Sequence, residues 1–289
     1  MPNPAVCLNL TLRKLGLNRK IDSRNLKVDM DARMLKASKL LLDCPEMERI
    51  VSFDGEVRKF LERLCLPSLF KKGIYLLPYA LVERVRAGLR NYSLERNVLV
   101  KAFVEAYPSR VKQAMELLGG HFNVGDYPPP GAVGSYFSLT YRLMDITAPD
   151  GLKDVNVEAF EEAKRAAESA WKEALEEARS VLRSMMKELV DHMVERLGYD
   201  GTKPKVFRDS LVANMEDFLS TFSARNIASD EELQALVKKA KKAVGGVAPE
   251  MLRDDRVTRD YVRDKLGEVK AQLDTMVVER PSRTFSFEE

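Results

Sequence analysis

The sequence predicts a mainly α-helical protein with a small β element. It further predicts a globular helical N-terminal part and a long antiparallel helical arm that resembles a coiled coil. Two observations lead to this fold class. Residues 156–197 contain neither proline nor glycine and consist mostly of strong helix formers. Alternating or β-forming residues predict strands in two places, residues 5–21 and 133–146.

The composition limits the classes of protein to consider. The chain has 289 residues, enough for two domains or for one domain with an extended arm. Hydrophobic residues make up 45% and charged residues 31%, which is typical of soluble globular proteins. The 47 basic and 44 acidic residues give a formal net charge of +3. A nucleic-acid binder of this composition would therefore depend on a local basic patch.

The cysteines and the hydropathy predict a compartment. Cys7, Cys44 and Cys65 have no spacing typical of a disulfide framework or a zinc site, which favours a reducing environment. The chain has no signal-peptide core and no run of about 18 apolar residues. We therefore expect a cytoplasmic protein without a membrane-spanning segment.

The patterns divide the chain into four segments. Residues 1–120 predict a mostly helical domain with an N-terminal β-segment, and residues 121–153 a joint rich in proline and glycine with a second β-segment. Residues 154–280 predict the long helix and a helical hairpin that form the arm. Residues 281–289 predict a flexible tail.

Several local signals predict where helices begin and end. Asp29 opens a predicted helix over residues 30–43, whose apolar positions have helical spacing. Asp54-Gly55 predicts a break between two helices, and Pro108 either starts or bends a helix that Gly119-Gly120 ends. Ser229, with a glutamate three residues later, predicts a capping box.

The long helix carries an apolar stripe. About 42 residues form a rod of about 60 Å, which is too long to be buried against a small domain. The helix therefore needs a partner helix, either in the same chain or in another one. The candidate interaction residues on the stripe are Phe160, Ala167, Trp171, Leu175, Leu182, Met185 and Leu189.

No motif predicts catalysis. His121 and His192 lack the spacing of metal ligands, and the chain contains neither a phosphate-binding GxxxxGK[ST] loop nor a GxSxG nucleophile elbow. We therefore predict no catalytic residue, metal site or cofactor. One alternative is an enzyme built around Asp126 and His121, but we favour a turn role for Asp126, in which its side chain bonds its own backbone.

Two basic regions are candidates for phosphate contacts. The first consists of Lys238, Lys239, Lys241 and Lys242. The second consists of Arg84, Arg86, Arg90 and Arg96, with Tyr92 nearby. Each region also has a simpler interpretation, a solvated helix face. The first lies at the end of its predicted helix, where the dipole stabilises cations.

The order of several motifs resembles a known family. The chain contains a GxxF…DYP pattern (Gly119, Phe122, Asp126), then the long Glu- and Ala-rich helix, and then the segment FRDSLVANMEDFL…ARNI…DEEL over residues 207–233. This order is similar to that of proteins carried by bacterial phages and integrative elements. The genes of that family accompany a MoxR-type AAA+ ATPase and a von Willebrand A protein similar to a cobalt-chelatase subunit.

The resemblance implies a role and no catalytic residues. It implies an accessory or structural partner of the ATPase system in the cytoplasm of the bacterial host. Our leading hypothesis is thus a non-enzymatic assembly, scaffold or adaptor protein, which oligomerises or binds a partner through the helical arm. The alternative is a nucleic-acid-binding accessory protein of a phage or mobile element, which would use the lysine cluster.

Overall fold

The computed structural model describes residues 4–21, 34, 36–67 and 73–277. This part of the chain is mainly helical with a small antiparallel sheet element, which confirms the predicted fold class at that level. The helices are α1 (Pro45–Leu64), α2 (Val82–Leu118), α3 (Asp150–Val155), α4 (Val157–Arg196), α5 (Asp209–Arg225), α6 (Glu231–Val244), α7 (Pro249–Asp254) and α8 (Arg256–Met276).

The strands are short. They are β1 (Ala5–Arg13), β2 (Asn18–Ile21), β3 (Ala37–Leu40), β4 (Leu66–Pro67), β5 (Ile74–Pro78), β6 (Ser138–Met144), β7 (Tyr199–Asp200) and β8 (Lys203–Pro204). Four of them form one sheet in the order β4-β5-β1-β6. Strands β2 and β3 form a second, antiparallel pair, and β7 and β8 a third.

The chain forms two compact units, and each is assembled from separate stretches of sequence. The N-terminal unit comprises Asn9–Phe60 and Glu83–Arg142. The C-terminal unit comprises Met1–Leu8, Leu61–Val82 and Leu143–Glu289.

These units differ from the four consecutive segments that the sequence predicts. The predicted joint, residues 121–153, is divided after Arg142, and the first eight residues belong to the C-terminal unit. The reason is that β1 and β6 each contribute residues to both units, so the divisions fall within strands. The predicted tail, residues 281–289, lies outside the described part of the chain.

The two predicted β-segments are confirmed with different bounds. Strands β1 and β2 account for residues 5–21, and β6 accounts for the middle of residues 133–146. The predicted helix over residues 30–43 is wrong where the structure describes it, because Ala37–Leu40 forms β3 and pairs with β2. Residues 29–33 and 35 lie outside the described residues.

Helix α1 continues through Asp54-Gly55, so the break predicted there is wrong. Asp54 accepts two hydrogen bonds from Arg96 of α2, at 2.7 Å from Nε and 3.2 Å from Nη2. Arg96 Nη2 also donates to the carbonyl of Arg13, at 2.9 Å. The side chains of Arg96 and Asp54 are only 1% and 4% exposed. This buried ion pair holds α1 in helical conformation at a dipeptide of low helix propensity.

Helix α2 contains Pro108 in its interior, so the alternative in which this proline starts a helix is wrong. The proline removes one backbone donor from the helix. Tertiary contacts hold the preceding turn, because Phe103 and Tyr107 are buried in the core of the N-terminal unit. The Tyr107 hydroxyl also donates to the carbonyl of Pro128, at 3.0 Å. Gly119 follows α2 with a φ of 49° and ends it as predicted.

Helix α4 confirms the long helix predicted from the sequence. Asn156 caps it, since its Oδ1 accepts a hydrogen bond from the Ala159 N–H at 3.0 Å. From Trp171 onward one face of α4 is buried in the core of the C-terminal unit. Helices α5 and α8 pack directly on α4, and α6 packs on both of them. The long helix therefore has partner helices in its own chain.

The C-terminal unit buries Arg225 without a carboxylate partner among the described residues. Arg225 is 1% exposed, and its Nε makes no hydrogen bond there. Its Nη2 donates to the carbonyl of Cys65 at 3.5 Å and to the Met185 sulfur at 3.2 Å, and its guanidinium lies 5.8 Å from the centre of the Phe218 ring. Burial lowers the pKa of Arg225 to about 10, so the group remains charged at neutral pH.

We expect Arg225→Met to leave the free energy of unfolding unchanged or to raise it by up to about 4 kcal/mol. Replacing a poorly compensated buried charge with an apolar side chain of similar length removes a desolvation penalty. Asp54→Ala is the opposing control, because it leaves Arg96 without its buried partner and should lower the same quantity by about 3–5 kcal/mol. Urea denaturation followed by circular dichroism measures both changes. A loss of several kcal/mol in Arg225→Met would contradict the prediction.

Candidate functional site

The described residues of the C-terminal unit form a cleft. Its volume is about 780 Å³, which lies in the range of ligand pockets. One wall is the second half of α4, from Ser184 to Arg196. The other wall is formed by residues 206–214, which lead into α5, and by Val277, which follows α8.

The buried residues that line the cleft are apolar. The core of the C-terminal unit includes three of them: Leu189 of α4, Phe207, which precedes α5, and Leu211 of α5. Val206 also lines the cleft but is 85% exposed. An exposed valine beside a buried apolar surface provides a place where a partner could bury an apolar group.

Two arginines hold Phe207 in place. The guanidinium of Arg253 lies 4.9 Å from the centre of the Phe207 ring and pairs with the Asp209 carboxylate. The guanidinium of Arg259 lies 5.7 Å from the same ring. These cation–π and ionic contacts fix the segment that leads into α5.

Arg259 of α8 closes the C-terminal end of α4. Arg259 is 3% exposed, and among the described residues its guanidinium donates only to backbone carbonyls. The acceptors are the carbonyl oxygens of Leu197 (2.9 Å), Leu252 (3.1 Å), Arg196 (2.8 Å), Gly198 (3.4 Å) and Lys205 (2.7 Å). Burial lowers the pKa of Arg259 below its usual range. One side chain thus joins the end of α4 to the segment that carries Val206 and Phe207.

Ion pairs between α4 and α8 engage part of the charge at the cleft. Lys187 pairs with Asp274 and with Asp191, at 3.0 Å for the latter. Lys270 pairs with Asp191 and, at 3.5 Å, with Asp274. The hydrogen bond to Asp274 raises the pKa of Lys187, and the same bond lowers the pKa of Asp274. Lys187 and Asp191 therefore serve to join the two helices.

The other polar residues of α4 that line the cleft differ in their engagement. Arg196 Nε donates a hydrogen bond to His192 Nε2 at 3.3 Å. The Glu195 carboxylate oxygen Oε1 lies 3.7 Å from the Lys205 ammonium nitrogen Nζ. Desolvation raises the pKa of Glu188.

The beginning of α5 faces the cleft without a side-chain cap. Arg208 occupies the N-cap position and makes no capping hydrogen bond. Arg208 is exposed and has no ion pair within the described ranges. A positive side chain and the backbone donors of a first helical turn both favour a carboxylate.

The described residues contain no group of three or more histidine, cysteine, aspartate or glutamate side chains that could hold a metal ion. None of the helices that the structure describes is long and apolar enough to cross a membrane. The arrangement of the cleft, an apolar base with partly engaged charges around it, is suited to binding.

The structure separates the predicted interaction residues into two groups. Trp171, Leu182, Met185 and Leu189 are buried in the core of the C-terminal unit and are thus unavailable to another molecule. Phe160, Ala167 and Leu175 are half-buried and remain accessible. The Trp171 indole also donates to the carbonyl of Ile146, at 3.0 Å. Any contact of the stripe with a partner is therefore limited to the second group.

The two predicted basic regions differ in how far they are exposed. Lys238, Lys239, Lys241 and Lys242 are all exposed on α6. The second region does not form a surface as a whole, because Arg96 is buried and paired with Asp54. Arg86 pairs with Glu83 at 2.9 Å, whereas Arg84 and Arg90 are exposed.

Asp126 has a structural role in the N-terminal unit. Its carboxylate pairs with Lys39 at 2.7 Å, and the same ammonium group donates to the His121 carbonyl at 2.6 Å. The neighbouring Tyr127 hydroxyl donates to the Leu41 carbonyl at 3.0 Å. The loop that follows α2 is therefore tied to β3, and Asp126 is held by tertiary contacts in place of the predicted bond to its own backbone.

Asp230, and not Ser229, caps α6, so the predicted capping box is wrong. Ser229 has a φ of 51°, whereas the Asp230 side chain accepts from the Leu233 N–H at 3.1 Å. Asp230 is buried and also accepts from Arg183 of α4, at 2.6 and 3.0 Å. Burial alone would raise the pKa of Asp230, but the hydrogen bonds from Arg183 and Leu233 lower it below its usual value.

Sequence reasoning did not find the cleft. Its lining residues come from three places in the chain, and no local spacing connects them. The one signal in the sequence was the segment over residues 207–233, which entered only through the family resemblance. Val206 and Arg208 have ordinary residue types, and only their exposure beside buried neighbours marks them.

No protein-family model, curated protein or solved structure matches this chain. The resemblance to the mobile-element family, and the partners that it implies, therefore stay predictions.

We expect Asp230→Asn to lower the free energy of unfolding at neutral pH, with a cost that shrinks in acid. Because the pKa of Asp230 is lowered in the folded state, its contribution is complete above the usual aspartate pKa of about 3.9 and is lost as the pH falls through the lowered value. Asparagine keeps the capping ability, so the variant removes mainly the charge. Urea denaturation at several pH values measures the difference from the unsubstituted protein.

Asp200→Asn is the control, since Asp200 is exposed and has no ion pair in the part of the chain that the structure describes. A cost in Asp230→Asn that stays constant from neutral pH to about pH 3 would contradict a stabilising charge at this position.

Proposed function

We propose that this protein is a non-enzymatic adaptor or scaffold that binds a segment of a partner protein in the cleft beside α4. The observation that carries the proposal is the combination of an apolar cleft base with two exposed residues at its rim, Val206 and Arg208, the second of which has no ion pair with any described residue. Such a surface binds through a buried apolar anchor and a charged contact near it.

The geometry favours a particular chemistry in the partner segment. An apolar side chain would cover Val206 and reach Phe207 and Leu211. A carboxylate near it would pair with Arg208 and accept hydrogen bonds from the first turn of α5. We therefore infer a segment in which an apolar residue lies next to an acidic one.

A second contact surface would lie on the amino-terminal part of α4. No residue of α4 before Trp171 is buried, although Phe160 and Ala167 continue the apolar stripe. We propose that this part forms the coiled-coil-like arm through which the protein oligomerises, with Leu175 at its inner end. The buried stripe residues hold the C-terminal unit together and take no part in this contact.

The identity of the partner rests on the family resemblance. It favours the AAA+ ATPase and the von Willebrand A protein whose genes accompany that family in phages and mobile elements. A cytoplasmic location agrees with Cys7, Cys44 and Cys65, which are buried, unpaired thiols.

We expect the cleft to select peptides from a phage-displayed library of random sequences, and the selected peptides to carry an apolar residue next to an acidic one. Val206→Asp combined with Arg208→Glu should weaken binding of a selected synthetic peptide at least about tenfold, because it removes both rim contacts. Fluorescence anisotropy measures the dissociation constants.

The matched control for the cleft is Val257→Asp combined with Arg84→Glu. Val257 is 78% exposed and Arg84 is exposed, and neither lines the cleft. This control should bind the peptide as the unsubstituted protein does. Equal weakening in both double variants, or no selection of related peptides at all, would refute a binding role for the cleft.

We expect the protein to self-associate through the amino-terminal part of α4. Light scattering after gel filtration should give a mass that rises with concentration above the 32.8 kDa of one chain. Phe160→Glu combined with Leu175→Glu should return the mass to that of one chain, because charges in the stripe oppose helix pairing. Val257→Glu, on the exposed face of α8, should have no effect. A constant monomer mass in the unsubstituted protein would exclude the oligomerisation.

A further inference from the structure

Helix α6 presents four lysines on a rigid support. All of its apolar residues except Ala235 are buried, and these are Leu233, Leu236, Val237, Ala240, Ala243 and Val244. The lysines at 238, 239, 241 and 242 are all exposed. Packing of α6 on α5 and α8 therefore fixes the direction in which these charges face.

The positive charge on this surface is not neutralised within the described residues. Lys238, Lys241 and Lys242 have no carboxylate partner there, and Lys239 donates to the neutral side chain of Gln272 at 3.0 Å. Helix α8, on which α6 packs, carries two lysines, Lys265 and Lys270, and both form ion pairs. The lysines of α6 differ from those of α8 in this respect.

The helix dipole explains only part of this cluster. Lys241 and Lys242 lie in the last turn of α6, where cations stabilise the helix. Lys238 and Lys239 lie before that turn, and the effect of the dipole falls off within one turn. Another interaction would account better for the whole set.

The surroundings of the lysines indicate the kind of polyanion. A membrane-binding helix inserts large apolar residues between lipids, but the leucines and valines of α6 are all buried. An acidic peptide would need an apolar pocket for its anchor, and α6 does not line the cleft described above. A nucleic-acid backbone needs only regularly placed positive charges.

The spacing of the lysines fits such a backbone. Lys238 and Lys242 are one helical turn apart, about 6 Å along the axis. Two phosphate steps on one strand of a DNA duplex span about 7 Å along its axis.

We propose that the lysine face of α6, formed by Lys238, Lys239, Lys241 and Lys242, binds the phosphate backbone of double-stranded DNA independently of sequence. Lysine ammonium groups act as point charges that neutralise phosphates and release counterions. No aromatic side chain lies among these four positions, so the face offers no stacking platform for unpaired bases.

The test is the binding of a fluorescein-labelled random duplex of about 24 base pairs, followed by anisotropy over a range of salt concentrations. We expect the affinity to fall steeply with salt. The variant Lys238→Gln, Lys241→Gln, Lys242→Gln should bind at least about tenfold more weakly at low salt. Its log–log slope should be shallower by about 2 to 3, since each neutralised phosphate contributes about 0.9.

The control is Lys153→Gln, Lys164→Gln, Lys172→Gln, which removes the same charge from exposed positions on α3 and α4. It should bind nearly as the unsubstituted protein does. Thermal unfolding of both variants checks that α6 remains folded.

Three outcomes would overturn the proposal. They are no binding of the duplex at about 50 mM salt, equal losses in the two triple variants, and binding to phosphatidylserine vesicles in place of the duplex. None of these outcomes bears on the cleft, because the peptide experiment uses variants on a different surface.

Discussion

The C-terminal unit depends on how the end of α4 is satisfied. A helix leaves its last four carbonyls without intrahelical donors, and burying them unpaired is costly. Arg259 of α8 donates to the carbonyl of Arg196, the last residue of α4, and also to a carbonyl before α5 and one in α7. The carbonyl dipoles in turn solvate the guanidinium, which forms no ion pair among the described residues. This exchange fixes α4, α7 and α8 relative to the segment that carries Val206 and Arg208, so the cleft exists because of it.

Three buried arginines show three degrees of compensation. Arg96 pairs with a carboxylate in the N-terminal unit, whereas Arg259 is surrounded by backbone carbonyls. Arg225 has only a long hydrogen bond to a carbonyl, a sulfur atom and an aromatic ring. The free energy that a buried charge costs depends on these partners more than on its depth. A buried arginine therefore stabilises one part of the protein and destabilises another.

The sequence predicts the parts of the fold that local chemistry controls. The bounds of α4 follow from Asn156 and from the absence of proline and glycine, and both are confirmed. Predictions failed where a tertiary partner outweighed a local preference. Asp54 lies inside a helix because Arg96 holds it. For Pro108 the sequence leaves two alternatives open, and the proline lies inside α2, where buried neighbours hold the preceding turn. Ser229 lost its predicted role because Asp230 gains a second partner in Arg183.

The two candidate sites, the lysine face of α6 and the cleft, differ in the same way: one follows from local sequence and the other from tertiary contacts. The lysines of α6 are neighbours in sequence and share one helix, so a local pattern was enough to find them. The cleft depends on Arg259, whose hydrogen bonds join residues about sixty positions away. Periodicity also could not decide whether the stripe on α4 pairs within the chain or between chains, because both arrangements bury the same positions. Only the packing of α5 and α8 assigns the half from Trp171 onward to the protein itself.

When the charges that pair with each other inside the protein are set aside, few strongly charged surface features remain for function. Four charges of α4 and α8 are engaged with each other in the network of Lys187, Asp191, Lys270 and Asp274. Charges in such a network are paired with charges of opposite sign, so they contribute little field beyond the Debye length of about 8 Å. The lysines of α6 and Arg208, which have no ion pair among the described residues, contribute to the field that an approaching molecule would meet. Such a field attracts two kinds of ligand, a polyanion and an acidic peptide. The apolar rim at Val206 distinguishes the proposed site for the acidic peptide from the proposed site for the polyanion.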